Sequence, residues 1–71
     1  MDIYTQKRIE KVINTIADEG IGCLSIAKDY AAKGNDRMKV QYEEFAKGIA
    51  YAVGDLCTEF KMEFPAALES A

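Results

Sequence analysis

The sequence predicts an all-α protein: a three-helix unit, one helix followed by an αα-hairpin with a long third helix, assembled as a homo-oligomeric helical bundle. Three observations lead there. Apolar residues recur at i, i+3, i+4 and i+7 in three stretches. Glycines 20, 22 and 34 fall between those stretches, and the single proline is Pro65. Finally, a chain of 71 residues buries only about 60% of the surface its unfolded form exposes, so a staple is expected: disulfides, a metal or a second copy.

The first helix is expected over residues 3–18, with Asp2 as N-cap and Ile9, Val12, Ile13, Ile16 and Ala17 as its apolar stripe. Gly20 is expected to stop it. A second helix follows from residue 21 or 22 to 33, burying Cys23, Leu24, Ala27, Tyr30 and Ala31. The turn Lys33-Gly34-Asn35-Asp36 combines a C-cap glycine with an N-cap Asn or Asp, the chemistry of a tight αα-hairpin. The third helix is read from 36 to about 64. Pro65 then opens a tail, or one extra turn, over 65–71, leaving 1–64 as the single domain.

Two apolar rows run along the third helix: Met38, Tyr42, Phe45, Ile49, Ala52 and Leu56, and beside them Ala46, Val53, Cys57, Phe60 and Phe64. At 100° per residue they merge into a face about 160° wide, more than one neighbour requires. Length argues the same way, because 1.5 Å per residue makes the third helix roughly 43 Å long and the first two roughly 24 and 18 Å. Gly48 and Ala52 line one edge of the face, and Ala46, Ala50 and Gly54 the other. Small residues let backbones approach, so the long helix is expected to be wedged between neighbours, with Phe45, Gly48, Ile49, Ala52, Val53, Leu56, Phe60 and Phe64 forming an oligomer interface. The competing reading is a break at Gly54, with Asp55 capping a new short helix.

Composition excludes more than it identifies. There is no histidine, and Cys23 and Cys57 lie among apolar residues as inert thiols do. A zinc site lacks its ligands. Nucleophile elbow, phosphate loop and dinucleotide fingerprint are all missing, so no enzymatic activity and no cofactor are expected. The N-terminal segment has no signal-like apolar region and no run is long enough for a membrane span, which makes a reducing cytoplasm the expected location. Nine Lys+Arg against twelve Asp+Glu, a net charge of −3, favour neither nucleic acid nor a membrane surface. The turn at Gly34 invites comparison with a DNA-reading helix-turn-helix, but it is flanked by Asp29, Lys33 and Asn35 instead of apolar residues, and Glu43 and Glu44 would face phosphate.

Two surface sites remain. Val40, Tyr51 and Met62 recur every eleven residues, which advances only about 20° around a helix. With Glu44, Lys47 and Asp55 they form an outer strip suited to another protein, as aromatics and methionine are enriched at interfaces. Lys33, Arg37 and Lys39 surround the start of the third helix, where a small anion such as a nucleotide could be held at a subunit junction. The expected function is accordingly a non-enzymatic, oligomeric interaction module acting as inhibitor or adaptor. Capture of a small anionic ligand is the alternative, and DNA regulation a more distant one.

Overall fold

A computed structural model describes residues 2–71. Asp2 opens the first helix as expected. Its carboxylate accepts the Thr5 backbone N–H at 2.8 Å and the Thr5 hydroxyl at 2.9 Å, and the backbone bond foremost holds its pKa below the ordinary 3.8. The helix it caps, α1, spans Ile3–Ala32.

The first two expected helices are therefore one. Gly20 and Gly22 lie inside α1, and Gly34 is the only positive-φ glycine among the described residues. The reason is steric. A Cβ on Gly20 would stand 2.9 Å from both Ile49 Cγ2 and Leu68 Cδ2, so this glycine admits neighbours instead of ending a helix. Ile13, Ala17, Gly20 and Ala27 are buried, and Leu24 between them is half-buried. Their 4-3-4-3 spacing continues one seam across the supposed break.

The hairpin turn forms as read. Gly34 takes φ 75°, the Gly34 N–H donates to Ala31 O at 3.1 Å, and the Asn35 N–H donates to Tyr30 O at 2.9 Å. These are the paired bonds of a Schellman end. The Asn35 side chain accepts the Met38 N–H at 3.2 Å, capping α2, Asp36–Glu59.

Helix α2 runs unbroken through Gly54, which settles the possible break there, but it stops five residues before Phe64. Its end repeats the first: the Met62 N–H donates to Cys57 O at 2.8 Å, while Lys61 adopts φ 54°. A lysine thus occupies the left-handed position that glycine usually takes, and no glycine marks the stop in sequence. Beyond it, Pro65 begins a 3₁₀ turn over Ala66–Leu68. Leu68, only 1% exposed, joins Ile13, Ala17, Ala27, Ala46, Val53 and Cys57 in the core.

The result is a two-helix hairpin with a folded-back tail, and the expected three-helix unit is corrected to this. Helices of about 45 and 36 Å run side by side, so the expected mismatch in helix length shrinks to about 9 Å. The molecule measures 49 × 16 × 15 Å, with a radius of gyration of 13.9 Å. A compact domain of this length has about 11 Å.

Candidate interaction face

An antiparallel helix pair has two broad sides, and here they differ. On one, the tail lies across the hairpin. Leu68 enters the notch left by Gly20, the aromatic ring of Phe64 lies 3.8 Å from the Cβ position of Gly54, and Ala67 and Ser70 border Ile21 and Leu24. No residue of the 65–71 tail lines the groove on the other side.

That open side is built from the apolar flanks of both helices. From α1 come Ile9, Val12, Ile16, Cys23 and Ile26; from α2 come Phe45, Ile49, Ala52 and Leu56. Opposite chain directions bring both flanks to the same side, since each flank lies about 40–140° from its helix's buried seam in the same rotational sense. Val12 is 59% exposed, Phe45 48% and Ile26 39%. Toward the open end of the hairpin the side deepens into a groove of about 410 Å³ lined by Thr5, Arg8, Ile9, Val12, Ile13, Leu56 and Phe60. Glu19 is the one charged α1 residue near the middle of this side.

Of the residues expected at an oligomer interface, Phe45, Gly48 and Ala52 are exposed on the open side, and Ile49 and Leu56 are half-buried along it. Phe60 forms a wall of the groove. Val53 is fully buried within the chain, and Phe64 packs under the tail. The expected close approach along two glycine edges changes accordingly. A Cβ on Gly48 would meet nothing within 4 Å, and the tightly packed glycine is Gly20.

On the outer strip, Val40 and Tyr51 are exposed, at 51% and 74%. Lys47 stands 3.7 Å from Glu44, and Asp55 is in solvent. Met62 leaves the strip: α2 ends before it, so the eleven-residue alignment cannot reach it, and it packs against the core. Around the turn, Lys33 Nζ lies 5.8 Å over the Tyr30 ring, Lys39 Nζ is 4.0 Å from Glu43, and Arg37 is exposed. The structure brings these three cations to one end of the hairpin but gives two of them partners of their own.

No family model, curated protein or solved structure matches the chain. Its surface therefore speaks through physical chemistry alone. Among the described residues no polar or charged side chain is buried, no group of His, Cys, Asp or Glu is placed to hold a metal, and no helix is long and apolar enough to cross a membrane. Cys23 is half-buried and Cys57 buried, both as free thiols. What the open side offers is apolar area and relief. The α1 half of it escaped sequence reasoning because the interface was assigned to the long helix alone. The signal lay in Val12, whose position beside Ile9 and Ile16 widens the α1 stripe beyond what one neighbour covers.

Proposed function

We propose that this chain is a non-enzymatic helical interaction module that completes its fold by pairing with another copy through the open side, and acts on other macromolecules as an inhibitor or adaptor. The supporting observation is surface. A compact monomer of 7.9 kDa exposes about 4,400 Å², whereas this chain exposes 5223 Å². The surplus of about 800 Å² is what each partner contributes to a standard protein interface. A core whose largest fully buried side chains among the described residues are Ile13, Val53 and Leu68 likewise suits a fold stabilised by association.

Sedimentation across micromolar concentrations tests this reading. A mass of two chains is expected, and a folded single chain throughout rejects it. Pairing through the open side leaves the Val40 and Tyr51 strip in solvent for a further protein, where Tyr51→Asp should abolish partner capture without changing the mass of the assembly.

A further inference from the structure

The open side carries a projection and a recess, and their placement specifies how two copies meet. Phe45 stands out near the turn end of the hairpin, 48% exposed. The groove between Leu56 and Phe60 on one wall and Ile9 and Val12 on the other lies toward the opposite end. Between them on α2 is Ala52, exposed and small. Phe45 lies seven residues before Ala52, about 10 Å, and the midpoint of Leu56 and Phe60 lies six residues after it, about 9 Å. A two-fold axis must carry every contact into its mirror assignment, residue i on j and j on i. Placed across the hairpin at Ala52, it carries Phe45 into the groove of a second copy and the second Phe45 into the first.

We infer that the chain forms an antiparallel homodimer in which α2 crosses α2 of the second copy at Ala52, each Phe45 filling the groove bordered by Ile9, Val12, Leu56 and Phe60 of the other. The inference rests on the homodimeric reading above and adds its orientation and register.

Three observations agree with this arrangement. First, the space at the crossing is right, because Ala52 is small and a Cβ at Gly48 would meet nothing within the chain, so two α2 backbones can approach closely. Second, the register works on α1 too. Ile49 packs beside Gly20, and Ile13 and Leu56 line one groove, so residues whose numbers sum to about 69 stand at one level and Ala52 is level with Ala17. The same axis then brings Val12 to within one residue of the level of Cys23 of the second copy, and Ile9 to within one residue of Ile26, apolar beside apolar. Third, the area suffices: a side of 49 by 16 Å is about 780 Å² in projection, close to the ~800 Å² per partner of a standard interface. A parallel pairing, with its axis along the hairpin, leaves Phe45 level with Phe45 and the groove unfilled.

The test is cysteine capture. Ala52→Cys in a Cys23→Ser background, with the buried Cys57 left in place, is oxidised mildly and run beside its reduced form in sedimentation. A covalent dimer is expected. A reduced variant that is dimeric but does not cross-link overturns the antiparallel register and leaves homodimerisation standing, whereas a parent chain that is monomeric at every concentration overturns both. Should the cysteine itself weaken pairing, a benzophenone amino acid at position 45 supplies the second reading. Capture of peptides containing Ile9–Val12 or Leu56–Phe60 upholds the register, and capture elsewhere on the second copy refutes it. Phe45→Ala is expected to raise the dimer dissociation constant at least about tenfold, as truncating a central aromatic does, while Tyr51→Ala leaves it unchanged.

Discussion

Gly20 and Gly22 are two residues apart on one helix, and their environments give them opposite energetics. Alanine in an unobstructed helix position is worth about 1 kcal/mol over glycine, and Gly22 has nothing within 4 Å of its Cβ position. Gly22→Ala should therefore raise stability by about that amount. At Gly20 the same methyl meets Ile49 Cγ2 and Leu68 Cδ2 at 2.9 Å. Leu68 can turn its tip aside, but the β-branched Ile49 is stiff, and overpacking costs about 1–3 kcal/mol. Gly20→Ala should destabilise despite its better helix propensity. Urea midpoints of the two variants, moving in opposite directions, check both claims. Sequence alone could not tell these glycines apart. Glycine marks a left-handed stop and a close approach equally well, and only the partner across the hairpin decides which. At Gly34 no such ambiguity arose, because Asn35 beside it declared a turn.

Among the elements, the tail is held by the fewest contacts and depends most on one residue. Leu68 is 1% exposed while Ala66, Ala67, Glu69 and Ser70 around it lie in solvent. Leu68→Ala should cost about 2–4 kcal/mol, within the range for emptying a leucine site. In amide exchange the residues of Ala66–Leu68 should lose protection well before those of α2. The end of α2 shows why boundaries were harder to read than helices. The periodic apolar run continues to Phe64, yet the backbone turns at Lys61, where φ 54° is a conformation whose usual residues are Gly and Asn. Phe60 and Phe64 stay apolar because each is used, one in the groove wall and one beneath the tail. Hydrophobic spacing recorded that these side chains are sheltered without recording that they belong to different elements. The start of α1, with Asp2 and Thr5, and the start of α2, with Asn35, were legible because capping chemistry is local.

For the molecule as a whole, helix length leaves no half of α2 bare, and the expectation of self-association stands on the open side instead. With α1 continuous, the two helices differ by only six residues, and the open apolar surface lies along one side of the pair instead of at one end of the long helix. If that side closes on a second copy, folding and association are linked, and the melting temperature must rise with protein concentration. Scanning calorimetry over a hundredfold dilution series should show a fall of several degrees at the dilute end. An unchanged midpoint would show that each chain melts alone. The wide apolar face of α2 was legible from periodicity, since that calculation needs only one helix. The shared side was not, because it depends on the relative rotation of two helices that sequence had divided into three.

The clasp of Leu68 into the Gly20 notch has a consequence for how far association can go. A helical hairpin with both broad sides bare could stack indefinitely, each copy offering a fresh surface to the next. Here the tail lies across one side, so a pair joined through the remaining side would turn its tail-covered sides outward, with the Val40 and Tyr51 strip the apolar surface left on them. If two copies pair through the open side, the tail is what keeps the pair from adding further copies, and releasing it is the change that would let assembly continue into a fibre.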